Sequence, residues 1–377
     1  MDLDLTTDQE LLRNTTRRFV EQECPLPRVR ELSDARTSAD RDYLASAAEL
    51  GWFATLVPED LGGGSVSGLG VCDAALVAEE RGRMLQPAAF VPTNVVAHAL
   101  VLDGTDRMRE LIVPELVAGA GLATWAVSHA TGDFEPTGGV RVTGTADALR
   151  LTGRKTLVQD AHSASWILVT ARDGDGASQF LVEADRVGVH VVRRAGFDLS
   201  RQLSEVSFDD VEVSTTDIVG GRTTATAAVE RQLDLAAVLT VAESVGAMDH
   251  LFELTVEYAK ARTAFGRPIG SFQAVKHLLA DTSLLLEESK AVAVAAAHAL
   301  QRERDNSSEI ASMAKSFVAD AGVELAHNCW QVFGGIGYTW EHDFHLYLRR
   351  LTLDAVLYGD AAWHRERICR LHGLGES

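Results

Sequence analysis

Two stretches of the chain carry residue types able to hold an anionic group. The first, Arg262-Thr263-Ala264-Phe265-Gly266-Arg267-Pro268-Ile269-Gly270-Ser271-Phe272-Gln273, is a basic, glycine-bearing turn between two long apolar-periodic segments. Backbone N–H groups converge on anions at such helix starts, and Arg262, Gly266, Arg267 and Gly270 suit that use. A solvated turn between helices would use the same residues. The second, Gln331-Val332-Phe333-Gly334-Gly335-Ile336-Gly337-Tyr338, sets an amide beside closely spaced glycines, where a backbone can approach a ligand. Groups able to move a proton are fewer. His129 lies in a loop, and Glu243 and Asp354 lie in helical patterns of a chain with 54 acidic residues; both carboxylates are expected on helix surfaces.

At 377 residues the chain exceeds the usual size of one core, so two or three domains are expected. A formal net charge of −19 argues against nucleic acid or an anionic membrane as partner. A phosphorylated ligand must therefore meet a local basic patch. Cys24, Cys72, Cys329 and Cys369 form no C-x-x-C pair and are expected to be buried free thiols of a reducing compartment. The polar, acidic start does not resemble a signal peptide. The apolar stretch Leu235–Met248 is interrupted by Glu243 and is too short to span a bilayer. A cytoplasmic protein is expected.

The elements that must position these residues change period twice. The first third is helical. Thr7-x-x-Glu10 has the capping-box pattern, with Leu12, Phe19 and Val20 on one face. Further helical patterns run over Thr37–Leu50 and about Leu69–Met84, separated by Pro58-Glu59-Asp60-Leu61-Gly62-Gly63-Gly64. This glycine run follows neither phosphate-loop nor dinucleotide spacing and is expected to be a structural linker. From about Ala123, alternating Val- and Thr-rich runs at Val140–Thr152, Ser165–Thr170, Gln179–Val182, Val187–Val192 and Leu203–Val213 predict a compact β-domain. After Gly221 long helical patterns return, over Thr224–Ala261, Ser271–Arg302, Ser307–Phe333 and a pair within Glu341–Leu374. Domains are expected at 1–121 (helical), 122–222 (β-barrel-like) and 223–377 (helical bundle).

With R-x-x-F-G and Q-x-x-G-G-x-G in this order, and "LGW…VPEDLGGG" in the first third, nearly the whole chain resembles the acyl-CoA dehydrogenases. The resemblance implies an α+β, mainly α fold: an N-terminal helical domain, a middle β-domain and a C-terminal four-helix bundle. It also implies FAD as cofactor and an acyl-CoA thioester as substrate. A carboxylate takes the α-proton while a hydride leaves the β-carbon, and an electron-transfer flavoprotein accepts the electrons. In this family one subunit offers R-x-x-F-G and Q-x-x-G-G to a flavin held mainly by its neighbour. Carried over by position, Arg262 would meet the pyrophosphate, Phe265 the adenine half, and Gln273, Gln331, Gly334 and Gly335 the same groove.

The positions that would serve this chain's own flavin depart from the family. The run T-E-P-x-x-G-S-D becomes Ser128-His129-Ala130-Thr131-Gly132-Asp133, with Ser128 keeping one hydroxyl and Trp125 an aromatic nearby. The ring-contacting W-I-T-N becomes Leu157-Val158-Gln159-Asp160 after the matching Gly153-Arg154-Lys155-Thr156. The Glu of Y-E-G-T falls on Tyr358, in register through Gly359. A phenol of ordinary pKa is only about 0.1% ionised at neutral pH and makes a poor base. The alternative family base position falls on Ala236, leaving Glu243, Asp354 or Asp360 as substitutes. The pattern predicts a non-catalytic subunit beside a homologous subunit that carries the base. The ending "LYLRR…YGDAAWHRER" resembles actinobacterial heterotetramers that desaturate steroid side chains. The competing readings are an active homomer with a displaced carboxylate, a flavin-dependent monooxygenase of the same fold, and a helical interaction protein without flavin.

Overall fold

The computed structural model describes residues 4–129, 134–145 and 148–374. Helices come first: α1 (Thr7–Glu23), α2 (Leu26–Ala35), α3 (Arg41–Glu49), α4 (Gly70–Arg83), α5 (Phe90–Asp103) and α6 (Val113–Val117). The capping box of α1 forms one residue earlier than expected. Thr6 is the N-cap and Gln9, not Glu10, reaches back to it, because Gln9 also bonds buried Asp73 on α4 and so sets the register. Leu12 and Val20 are buried, as the periodicity requires.

Strands follow: β1 (Ala123–Ala126), β2 (Val140–Thr145), β3 (Ala148–Gln159), β4 (Trp166–Asp173), β5 (Gly176–Glu183), β6 (Val189–Arg194), β7 (Leu203–Val213) and β8 (Ile218–Val219). They make one sheet in the order β6-β7-β3-β2-β4-β5-β8, with β1 parallel to β4. Val140–Thr152, expected as one strand, is two: β2 and the start of β3 pair antiparallel from Val140↔Gly153 to Thr145↔Ala148. Gly144 at φ +95 supplies the backbone freedom before the reversal. Leu149, Leu151, Ile167, Phe180, Val206 and Phe208 share the core of this domain, and among the described residues β6 and β8 end the hydrogen-bonded order.

The last third comprises α7 (Thr226–Ala261), the short strands β9 (Thr263–Ala264) and β10 (Arg267–Pro268), α8 (Gln273–Gln301), α9 (Ser307–Phe333), α10 (Phe344–Val356) and α11 (Ala361–Leu371). α7 is apolar and long enough to span a membrane, yet 83% of its apolar window is buried inside the protein. It is the central core helix, and Leu235–Met248 is buried at every position. Cys24, Cys72 and Cys329 are buried free thiols, whereas Cys369 is exposed, because its turn of α11 faces outward. The Gly62–Gly64 run is structural: a Cβ on Gly63 would lie 2.1 Å from the Val57 carbonyl oxygen.

One close approach holds α7 against the first helical domain. A Cβ on Gly82 of α4 would lie 1.9 Å from the Glu243 oxygen, and one on Gly246 of α7 would lie 1.8 Å from the Glu79 oxygen. The two glycines face each other's backbones, which cannot yield as a side chain can. Gly246→Ala gains helix propensity of about 1 kcal/mol but incurs overpacking of about 1–3 kcal/mol or more. Since both clashes are with main-chain oxygens, the net result is expected to be a lower thermal midpoint, measured by calorimetry. An unchanged or raised midpoint would refute this account of the α4–α7 crossing.

Candidate functional site

The two glycine-bearing motifs emerge side by side. Tyr258 near the end of α7 stacks on Phe333 at the end of α9, with ring centroids 4.6 Å apart. Beyond α7 the backbone of Ile269 donates to the Arg262 carbonyl at 2.8 Å, closing a small β9–β10 hairpin with Ala264 opposite Arg267. Its tip, Phe265 and Gly266, has φ of +52 and +79, both positive as a type I′ turn requires. The Phe265 ring is 96% exposed, with an edge contact to Phe272 at 6.2 Å. The Arg267 guanidinium covers the Phe272 ring at 4.1 Å.

Arg262, Gln273, Gln331 and Gly335 are exposed as well, and Gly334 is half-buried. Gly334 has φ 61 and ψ −139, near the region that only glycine adopts readily. A Cβ on Gly334 or Gly335 would meet open space. Among the described residues Arg262 has no carboxylate partner, unlike Arg367, which bonds Glu230 and Asp234. An exposed unpaired cation, two amides and an open glycine pair fit a phosphorylated cofactor that approaches from outside this chain.

The second set of positions converges elsewhere, inside the protein. Trp125 on β1, Gln159 at the end of β3 and Tyr358 just after α10 meet at the junction of the three parts. The Tyr358 ring stacks on Trp125 with centroids 6.0 Å apart. The Gln159 amide donates to the Tyr358 hydroxyl at 2.8 Å. Tyr358 and Gln159 are both 3% exposed. A bulge in β3 between Lys155 and Val158 turns Leu157 out at φ +53, leaving its side chain partly exposed and its position without an aromatic face. Ser128, just beyond β1, is buried, and its carbonyl accepts from the Thr156 N–H at 2.9 Å. Of the run that contains it, Ala130–Asp133 lie outside the described residues.

Behind Tyr358 stands a network of buried charges. Arg201 donates to Gln159 Oε1 at 3.0 Å and to Glu243 Oε2 at 2.6 Å, and lies 3.3 Å from Asp354 Oδ1. Arg350 lies 3.5 Å from Glu243 Oε1 and donates to Asp198 at 2.6 Å and Ser200 at 2.8 Å. Burial would raise the Glu243 carboxyl, but Arg201, Arg350 and Arg81 overcome it and hold it below its ordinary value. Asp354 goes the other way: burial, aided by the charge of Glu243, pushes it up to about 7 against the pull of Arg201. The difference follows from geometry, since Glu243 takes the shorter bond to Arg201 and a second cation. Burial pushes the Tyr358 phenol well above its ordinary value. A phenol held neutral by burial is a poor acceptor for an α-proton.

Glu243 and Asp354 are therefore not helix-surface carboxylates; each is 1% exposed, because buried arginines lie against them. Asp360 caps α11, accepting from the Trp363 N–H at 2.8 Å. His129 is half-buried beside Gly138, where an added Cβ would lie 2.4 Å from its Nε2. Arg201, Arg350 and Asp198 were missed from sequence. Their partners lie 42 and 152 residues away, and no local spacing announces such pairs.

Asparagine mimics protonated Asp354. A carboxyl raised in the folded state adds stability that is complete below its unfolded pKa and is lost as pH climbs through the folded one. Asp354→Asn should thus unfold at a higher temperature than the parent above about pH 7, with the gap closing towards about pH 4. A gap independent of pH would count against a raised Asp354 carboxyl. Arg201→Ala, which strands Glu243, should cost about 3–5 kcal/mol in chemical denaturation.

Residues 6–120 match the acyl-CoA dehydrogenase N-terminal domain and residues 226–371 its C-terminal domain. Acyl-CoA dehydrogenase FadE34 of Mycobacterium tuberculosis is 33% identical over 95% of this chain, and the chain spans 46% of that protein's length. Acyl-CoA dehydrogenase IpdE2 of Mycolicibacterium smegmatis is 30% identical, covering 97% of this chain and 98% of that protein. A chain of the ChsE4-ChsE5 complex of Mycobacterium tuberculosis superposes with a TM-score of 0.90 at 28% identity, over 100% of both chains. The three-part fold, the two signatures and full-length relatives together place this chain in the acyl-CoA dehydrogenase family.

Proposed function

We propose that this chain is the non-catalytic subunit of a heteromeric, FAD-dependent acyl-CoA dehydrogenase. It lends Arg262, Phe265, Gln273, Gln331, Gly334 and Gly335 to a flavin held mainly by a homologous subunit. The observation that carries this reading is the division of the site. The motif face is open and carries an unpaired cation, while the base position is a buried tyrosine bonded to Gln159. The ChsE4-ChsE5 structure, a complex of two named proteins, supports a heteromer.

When bound, the flavin would accept the hydride from the β-carbon of the thioester. This chain's part is binding and orientation. Arg262 would meet the pyrophosphate charge, the Phe265 ring would pack on the adenine half, and the exposed amides of Gln273 and Gln331 would hydrogen-bond the cofactor. Gly334 and Gly335 leave room for the cofactor against the backbone. The α-proton would go to a carboxylate of the partner. Acyl-CoA as substrate, a steroid side chain as its acyl group, an electron-transfer flavoprotein as acceptor and a cytoplasmic setting belong to the same proposal. The steroid part rests on the resemblance of the chain's ending alone.

The second reading is an active homomer that uses Asp354, favoured by the raised pKa of that carboxyl. Flavin content separates the two. The chain purified alone should hold little flavin, and coexpressed with a homologous partner it should give about one FAD per pair of unlike chains. Arg262→Ala should strip flavin from that complex. Tyr358→Phe should leave turnover near that of the parent and lower stability by about 1 kcal/mol through the lost bond to Gln159. A yellow homotetramer reduced by acyl-CoA would remove the subunit reading.

A further inference from the structure

Away from the motif face and the buried charges, a cleft of about 220 Å³ opens between the end of α1, α2 and the start of α3. Its floor is aromatic. Phe19 and Tyr43 line it with ring centroids 5.4 Å apart, and buried Trp52 backs both rings edge-on at 5.3 and 6.1 Å. The Tyr43 hydroxyl is turned inward, donating to Gln86 at 2.5 Å, and Gln86 in turn donates to the Cys24 carbonyl at 2.8 Å. The tyrosine therefore offers the cleft its ring and not its polar end. Cys24 closes the floor with a free thiol, 2% exposed and without a hydrogen-bond partner among the described residues. Burial pushes that thiol up to about 11, so it stays neutral.

The rim carries the opposite chemistry. Glu23, Asp40 and Asp42 stand exposed around it. Among the described residues Glu23 and Asp42 have no cation partner. Asp40 caps α3 through the Tyr43 N–H at 2.9 Å and lies 4.0 Å from Arg28, whose guanidinium is held by Glu31 at 3.0 Å. α1 ends here with no basic residue in its last turn, although the negative end of a helix dipole favours a cation. Glu21 and Glu23 make that end more negative still.

We propose that this cleft binds an alkylammonium group, its hydrocarbon stem on Phe19 and Tyr43 and its charge answered by the rim carboxylates and the end of α1. The same geometry disfavours the other ligand classes. An anion would meet three carboxylates. A metal ion needs converging ligands, and among the described residues no three His, Cys, Asp or Glu groups could hold one. A nucleotide is too large, since pockets for ligands of that size run to about 300–1,000 Å³. An ammonium on a short stem suits aromatic rings flanked by carboxylates. The site makes no use of a flavin and is independent of the subunit reading above.

Titration of the full chain with n-butylammonium, followed by saturation-transfer NMR and calorimetry at fixed ionic strength, tests the site. Saturable binding with a Kd on the order of 1–10 mM is expected, with n-butanol at least about tenfold weaker. Glu23→Gln combined with Asp42→Asn removes exposed charges without touching the core, and should weaken the amine at least about fivefold. Tyr43→Leu, which removes one ring, should weaken it at least about threefold. Glu366→Gln, at an exposed carboxylate on α11, should change the affinity by less than about twofold. A loss there equal to that of the rim variant would reduce the effect to the general attraction of a chain with net charge −19, and would overturn the site. Equal binding of n-butanol, a titration that never saturates, or a rim variant that binds like the parent would overturn it as well. In the complex with the homologous partner, retained binding identifies a free amine as the source. Binding lost there, and restored when the partner's lysines are acetylated before assembly, identifies a lysine side chain.

Discussion

A guanidinium cannot shed its proton, so wherever Arg201 is buried its charge must be answered. That constraint organises the centre of this protein. Arg81, Arg201 and Arg350 are each 5% exposed or less, and Asp198, Glu243 and Asp354 lie as deep. The charges are not matched evenly. Glu243 and Asp198 hold the short bonds to Arg201 and Arg350, and Asp354 is left at the longer distance with its carboxyl pushed towards neutrality. Removing either arginine would leave a carboxylate short of its cation away from water, which costs more than the pair contributes. The network therefore behaves as a unit and sets the paths of the 195–202 segment and of the turn after α10.

The same helix that supplies Glu243 supplies the motif face. α7 runs from the buried junction to the exposed hairpin after Ala261. Its middle is pressed on α4 through Gly246 and Gly82, and its end is tied to α9 through Tyr258 and Phe333. Backbone contact at the glycines leaves the helix little freedom to slide or turn. Tight packing in the core thus also determines where Arg262 and Phe265 emerge, although neither residue takes part in that packing.

Much of this was legible in the sequence, for identifiable reasons. Long helices declare themselves by period, and α9 spans Ser307–Phe333 as expected. The motif residues are local in sequence, so spacing alone marks them. Tyr358 was legible as the residue that the resemblance sets at the family's base position, because Gly359 keeps the register. What was not legible is long-range. Glu243 and Asp354 looked like surface carboxylates because nothing near them in sequence announces Arg201 or Arg350. The hairpin of β2 and β3 was read as one strand because alternation continues on both sides of the reversal. Helix α5 escaped because it is buried nearly all round, so it has no amphipathic stripe to find.

The contrast between the two halves of the site is energetic. Phe265 holds a backbone conformation that costs a bulky residue on the order of 1–3 kcal/mol, and its ring stays 96% exposed. Folding of this chain alone gains little from that arrangement, since an exposed ring buries almost no apolar area. At Tyr358 the reverse holds. A positive φ of +59 is offset by burial, a stacked tryptophan and a hydrogen bond within the chain. Strain repaid inside the fold needs no outside partner. Strain left exposed at Phe265, beside an exposed Arg262, is not repaid by any burial within this chain.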